Sequence, residues 1–250
     1  MNKKFKITAT IVLYKENVSS LKKTIDSFLK TPISKKLFLI DNSPTDILKA
    51  EFIHTDIEYI FVGKNIGFGN AHNIVLEKIN SEFHLILNPD VTFTSNVITN
   101  LIKALKDELN TAFITPKVLY PNKEVQYVCR KHPTFLDLVN RKLKFSKNQI
   151  RNNEYQHKNL EEKFYPDFIH GCFMLFRTEL FIGLKGFDKR YFLYMEDADI
   201  CREIDKIGKR KLYYPDIYIL HQHQKGSSKK LKLFFYHFSS AIKYFLKWGI

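Results

Sequence analysis

Cysteine is scarce in this chain, and its three copies, Cys129, Cys172 and Cys201, stand far apart. No Cys-x-x-Cys pair exists, which argues against a zinc knuckle and a disulfide framework. So few thiols fit a reducing cytosol. Long apolar runs are missing too: none reaches the ~18 residues of a spanning helix. The N-terminus has the outline of an export signal, with Lys3, Lys4 and Lys6 ahead of Ile7 to Tyr14. Its apolar part is short and contains threonine. It runs into Lys15-Glu16 without a small-residue cleavage site, so export is not expected. Internal repeats and low-complexity tracts are absent. Acid is absent from two stretches: none follows Asp216, where six lysines stand, and none lies in Arg141 to Arg151, where five basic residues do. The net charge is +14. Nucleic acid, an anionic membrane surface or a phosphorylated substrate would each suit it, and a solvated surface is the plainer account of one isolated run.

What is present suits one large α/β domain, alone or with a small appendage: 250 residues, 44% hydrophobic, with 22 Phe and 13 Tyr for the core. Ile7 to Leu13, Leu37 to Ile40, Ile57 to Val62 and Phe83 to Leu87 read as strands. Val18 to Leu29 and Asn70 to Ile79 have helical spacing between them. This alternation predicts a mostly parallel central sheet with helices on both faces. Further on, Val97 to Leu105 reads as a helix and Ala112 to Val118 as extended. Pro121 to Asp167 is polar, basic and weakly patterned, as functional or mobile segments often are. Phe168 to Phe176 reads as one strand, Asp197 to Ile207 as a helix, and Lys211 to Tyr214 and Ile217 to Leu220 as two short extended pieces. The final helix, Leu231 to Trp248, carries Leu231, Phe234, Phe235, Phe238, Ala241, Ile242, Phe245 and Trp248 on one stripe. Such a basic amphipathic helix can lie on a membrane or pack on its own domain.

Four groups of residues could carry chemistry. Asp197 shares a helical stripe with Ile200, Cys201 and Ile204, so its carboxylate faces inward, which is costly without a partner or a task. An N-terminal acid that only caps the helix is the alternative, and Glu196 and Asp199 fit that description better. Asn88-Pro89-Asp90 follows an apolar strand. There a carboxylate can hold Mg²⁺ or Mn²⁺ beside a phosphate, or simply form a turn. His221 and His223 end another strand, as metal ligands or as ordinary loop histidines. Gly63-Lys64-Asn65-Ile66-Gly67-Phe68-Gly69-Asn70 is a glycine-rich turn before a helix, open to close approach by phosphate. His72 stands where a dinucleotide fingerprint needs a third glycine, and no P-loop Gly-Lys-Ser/Thr is present.

Taken in order, these segments resemble family 2 glycosyltransferases of the GT-A fold, in the bacterial rhamnosyltransferase-like branch. The resemblance runs from Ala9-Thr10-Ile11-Val12-Leu13-Tyr14 to the last helix. It is most specific at Lys64 to Asn73, at Leu87-Asn88-Pro89-Asp90-Val91, and at Gly186-Phe187-Asp188 leading into Phe192 to Asp199. His221 followed by Gly226-Ser227-Ser228 closes the set. The resemblance implies a GT-A domain over residues 1–230 and a basic amphipathic helix over 231–250. It places the donor nucleotide at Tyr14, Asp41, Asn65, Gly67, Asn73, Asn88 and Asp90. A divalent cation, Mg²⁺ or Mn²⁺, falls to Asp90 and His221, the general base to Asp197, and the acceptor side to Gly171 and Glu196. Asn88 departs from the family's first aspartate and leaves one fewer charge for the metal.

The implied reaction is an inverting transfer. Asp197 takes the acceptor hydroxyl's proton as that oxygen attacks, and the cation offsets charge on the leaving diphosphate. The expected donor is dTDP-rhamnose and the expected acceptor a lipid-linked or surface-polysaccharide glycan, with the enzyme cytoplasmic or peripheral on the inner membrane face. Other donors, such as a UDP-hexose or UDP-galactofuranose, are not discriminated by any residue. A basic nucleic-acid-binding module would explain the charge but leaves Asp90, Asp197 and His221 unexplained, and no RNA-binding motif is visible. Nucleic acid is therefore not an expected partner. A non-catalytic scaffold, motivated by Asn88, is the remaining rival.

Overall fold

A computed structural model describes residues 5–143, 146–222 and 231–249. His223 and Gly226-Ser227-Ser228 lie outside them. In chain order the elements are β1 (Phe5–Leu13), α1 (Val18–Leu29), β2 (Lys35–Asp41), β3 (Ile57–Phe61), α2 (Phe68–His72), β4 (Ser81–Leu87), β5 (Val91–Thr92), α3 (Val97–Asp107), β6 (Thr111–Leu119), β7 (Cys129–Arg130), α4 (Phe135–Leu143), α5 (Lys147–Asn153), β8 (Phe168–Ile169), β9 (Phe173–Arg177), α6 (Thr178–Gly183), α7 (Glu196–Lys206), β10 (Arg210–His221) and α8 (Leu231–Trp248).

Eight strands form one sheet in the order β3-β2-β1-β4-β9-β6-β10-β5, while β7 and β8 pair separately. β3, β2, β1 and β4 are mutually parallel, as are β6 and β10. β9 runs antiparallel between β4 and β6. Central strands are buried on both faces, which is why they read as near-continuous apolar runs. In β1, Ile7, Ala9, Ile11 and Leu13 are fully buried, and so are Thr8 and Thr10 between them. Those threonines hydrogen-bond the ring nitrogens of His84 at 2.8 and 3.1 Å, so the polar atoms inside the sheet are partnered.

Helix α1 matches its expected span. Asn17 caps it by accepting from the Ser20 amide at 3.1 Å, and Leu21, Ile25 and Phe28 face the sheet. Burying each of these three contributes on the order of 1.5–3 kcal/mol.

Other elements differ from expectation. The helix expected over Asn70 to Ile79 begins at Phe68 and tightens into a 3₁₀ turn over Asn73–Lys78. The strand expected over Phe168 to Phe176 is broken at 170–172, because Gly171 and Cys172 leave the β8 pairing to reach two other elements. The two pieces expected at 211–220 are one strand, β10, with a register shift across Pro215-Asp216. The short helix α6 was not anticipated, since six residues carry too little periodicity to be seen.

Candidate active site

Parallel strands gather their carboxyl ends on one side, and open α/β sheets bind ligands there. β1 ends at Leu13 opposite Asp41, the last residue of β2. Asp41 is fully buried, accepts a hydrogen bond from the Tyr59 hydroxyl, and accepts from the Ser43 amide at 2.8 Å. Tyr14, next after β1, is exposed. Glu16 was not singled out by sequence. It is half-buried, and burial first, then the charges of Asp90 and Asp41, push its carboxyl up to about 7. Three carboxylates therefore share this rim.

The glycine-rich loop closes the rim from another side. Asn65 Oδ1 accepts from the Gly67 amide at 2.9 Å. Gly67 has φ +93°, and an added Cβ would lie 2.1 Å from the Phe192 carbonyl oxygen, so only glycine fits. The Phe68 amide donates to that same oxygen at 3.0 Å. Asn73 engages the Phe187 backbone with both ends of its amide, at 2.6 and 2.9 Å. Asn73 thus positions the loop against the segment that leads to α7.

Asn88, Pro89 and Asp90 leave β4. The Asn88 amide donates to the Cys172 carbonyl at 3.0 Å, and Thr24 Oγ1 donates to the Pro89 carbonyl at 2.7 Å. Asp90 Oδ1 lies 3.2 Å from His221 Nε2 at the end of β10. Gln126, in the weakly patterned segment, fixes that imidazole. Its Nε2 donates to the His221 carbonyl at 2.6 Å, so its Oε1 must accept from His221 Nδ1–H, 2.9 Å away. That turns Nε2 toward Asp90, where the ring holds a proton or would hold a metal. Burial opposes the imidazolium, but Cys172 and Asp90 outweigh it and push His221 up to about 10.

Asp90 and, once the cation displaces its Nε2 proton, His221 would suit a divalent cation shared with a substrate phosphate. They do not fit a self-sufficient structural metal site. Among the described residues no group of three or more His, Cys, Asp and Glu side chains could hold a metal alone.

Asp197 is treated differently. Tyr194 and Met195 both have φ near +70°, a left-handed conformation costly for such residues, and this kink turns α7 so that its first acids face inward. Asp197 Oδ2 accepts from the Gly171 amide at 3.1 Å and lies 3.3 Å from His170 Nδ1. Oδ1 accepts from the Ala198 amide at 2.9 Å. Burial would raise this carboxyl, but His170 and the two amides outweigh it and hold it below its ordinary value. The group is ionised at neutral pH, as a base must be.

Glu196 and Asp199, which fit the description of capping acids better than Asp197 does, are both buried, because the kink and α8 enclose the first turn of α7. Glu196 Oε2 has no hydrogen-bond partner, and burial, then the neighbouring Asp197, push this carboxyl up to about 8. Asp199 is held by Tyr191, Lys247 and Trp248. Gly171 serves Asp197 through its amide, and an added Cβ there would meet Asp197 Cβ at 3.5 Å.

The break at 170–172 joins the two halves. Gly171 holds Asp197 and Cys172 holds Asn88, so the base candidate and the Asn88-Pro89-Asp90 turn are tied to adjacent residues of one short segment. His170, Gln126 and Glu16 completed the site unforeseen. Their only sequence signals were positions beside Gly171, within the weakly patterned segment, and just past β1.

The architecture is that of GT-A nucleotide-sugar transferases. It superposes on GalNAc-T7 solved with UDP, GalNAc and Mn²⁺ (TM-score 0.67, 16% identity, 89% of this chain, 44% of that one). It also superposes on the mannosyltransferase PcManGT from Pyrobaculum calidifontis solved with GDP-Man and Mn²⁺ (TM-score 0.63, 17% identity, 97% of this chain, 65% of that one). The chain therefore spans less than two thirds of each of those two solved proteins. The model of the family "Glycosyl transferase family 2" matches residues 8–184, and the chain belongs to that family. Two curated relatives are similar along most of their length. Rhamnosyltransferase WbbL of Escherichia coli is 28% identical over 240 residues, covering 90% of this chain and 87% of the relative. The N-acetylglucosaminyl-diphospho-decaprenol L-rhamnosyltransferase of Mycobacterium tuberculosis is 25% identical over 229 residues, covering 84% and 74%.

Proposed function

We propose that this glycosyltransferase moves rhamnose, from a dTDP-linked donor, onto a lipid-linked or surface-polysaccharide glycan with inversion at the anomeric carbon. The observation that carries the reading is the 170–172 segment, which joins an ionised, buried Asp197 to the turn bearing Asp90. The names of the two curated relatives support rhamnose and, for the mycobacterial one, a lipid diphosphate acceptor.

In this reading Tyr14, Asp41, Asn65 and Gly67 line the nucleotide side, with Asn73 positioning the loop. Asn88 and Asp90 face the diphosphate. Asp90 and His221 would hold Mg²⁺ or Mn²⁺, which when bound offsets charge on the leaving diphosphate. Asp197 Oδ atoms receive the acceptor hydroxyl's proton in a single displacement. His170 and the Gly171 amide keep that carboxylate charged and aimed, and Glu196 and Gly171 border the acceptor. The working location is the cytoplasmic face of a membrane, and among the described residues no helix is long and apolar enough to cross one.

The test is thermal stabilisation by a panel of nucleoside diphosphates and nucleotide sugars, with and without Mn²⁺. Stabilisation by dTDP or dTDP-rhamnose that grows with Mn²⁺ is expected. A response confined to UDP ligands would reassign the donor, and no response to any nucleotide would overturn the reading.

A further inference from the structure

Helix α8 turns much of its apolar stripe away from the domain. Its domain side buries Ser240, Ala241 and Tyr244. Its outer side exposes Leu231, Phe235, Phe238, Ile242 and Leu246, with Leu231 and Leu246 at 74% and 83%. Steps of four and three keep these five on one line. The line continues onto a distant part of the chain. Phe245 meets Phe135 of α4 edge-on, ring centroids 6.3 Å apart, and Phe135 and Leu136 are themselves exposed. Two amphipathic elements thus add their large side chains to one outer face, and contiguous apolar surface of this kind marks an interaction site.

The charge around the face is predominantly basic. No acid follows Asp216. Lys232 on α8, Lys147 and Arg151 on α5, and Lys189 beside the segment that α8 holds are all exposed. Asp137 on α4 is already engaged by Thr134 and Gln149. Lys243 and Lys247 point to the domain: Lys243 donates to the Arg190 carbonyl, and Lys247 pairs with Asp188, Asp199 and Glu203. A second copy of a chain with net charge +14 would bring like charge to this rim, whereas an anionic lipid surface brings the opposite.

We propose that the α4–α8 face seats on an anionic bilayer. The inner side of α8 grips the segment that carries Asp197: Ser240 donates to the Leu193 carbonyl at 2.8 Å, and Tyr236 packs on Phe192 with centroids 4.4 Å apart. Seating therefore holds the base-bearing rim at the membrane, where a lipid-borne acceptor would lie. Only this last point rests on the transferase reading.

The test is flotation of the full chain, without nucleotide or sugar, with vesicles of phosphatidylcholine and of a phosphatidylcholine–phosphatidylglycerol mixture. Binding to the mixed vesicles, weakened by salt, is expected. The pair Phe235→Ser and Leu246→Ser should cut partitioning about tenfold or more, and Phe135→Ser several-fold, from lost apolar burial. All three positions are exposed, so melting by circular dichroism should be unchanged. No binding to mixed vesicles overturns the proposal, as does equal binding by the variants. A dimer in sedimentation that the same substitutions dissolve would assign the face to a second copy and also overturn it. Because nucleotide binding is measured separately, failure of the seating and failure of the transferase reading are distinguishable.

Discussion

Under the proposed function, the two rims of the site are built in opposite ways. The donor rim uses the regular ends of parallel strands: Asp41 closes β2, and Asn88-Pro89-Asp90 follows β4. The acceptor rim uses irregular backbone: the break at 170–172 and the left-handed pair Tyr194-Met195. The electrostatics differ as well. Asp90 is partly open and faces one histidine, whereas Asp197 is buried and held by His170 and two amides, which leave one of its four acceptor sites for a proton. A partly open carboxylate leaves room for an incoming cation and phosphate. One held by three partners is fixed in direction and kept ionised. The difference shows what the left-handed pair Tyr194-Met195 does on the acceptor rim, where one carboxylate must be aimed, and why α8 braces that rim from outside.

The largest effect is expected where the rims touch. Gly67→Ala drives a Cβ into the Phe192 carbonyl at a φ that disfavours any side chain. It should cost about 3 kcal/mol or more in urea unfolding and weaken nucleotide binding, because the loop must leave the acceptor rim. Unchanged stability would show that the rims are not pinned together there.

The next variant acts on the donor rim alone. Gln126→Leu removes both hydrogen bonds to His221 and frees the ring's orientation. Mn²⁺ affinity, followed by electron paramagnetic resonance titration, should fall roughly 10- to 100-fold, as for other partners that orient a metal-binding histidine. Unchanged affinity would remove Gln126 from the metal site.

The smallest effect concerns the acceptor rim's proton. Folding holds Glu196 protonated up to about 8, above its ordinary 4.5, so the native state keeps a proton that the unfolded chain has lost in that window. Stability from this group is therefore full below about pH 4.5 and declines as pH rises toward 8. Glu196→Gln has no proton to lose. Its melting temperature should fall less between pH 5.5 and pH 8.5 than that of the natural protein, and an equal fall would mean that Glu196 is not the group.

The same contrast explains what could be read from the sequence. The donor-rim strands are short, near-continuous apolar runs and α1 keeps a 3.6-residue period, so β1, α1, β2, β3 and β4 were found within a residue or two, and Asp41 and Asp90 with them. Asp197 was legible because it lengthens an apolar stripe. The rest of the acceptor rim was not. Nothing in Tyr194-Met195 announces positive φ, a three-residue break has no period, and β9 reverses direction without a local signal. Gln126 reaches His221 only through tertiary structure. In α8 the apolar stripe was visible, but which part of it faces the domain was settled by partners on α7 and the 188–194 segment.

The most direct test of the account is Asp197→Asn, measured for turnover and for nucleotide affinity together. The account predicts that turnover falls by roughly 10²–10⁴-fold, the usual contribution of a positioned base, while dTDP affinity is unchanged. Near-normal turnover, or nucleotide binding lost in parallel with it, would contradict the assignment of this carboxylate as the base.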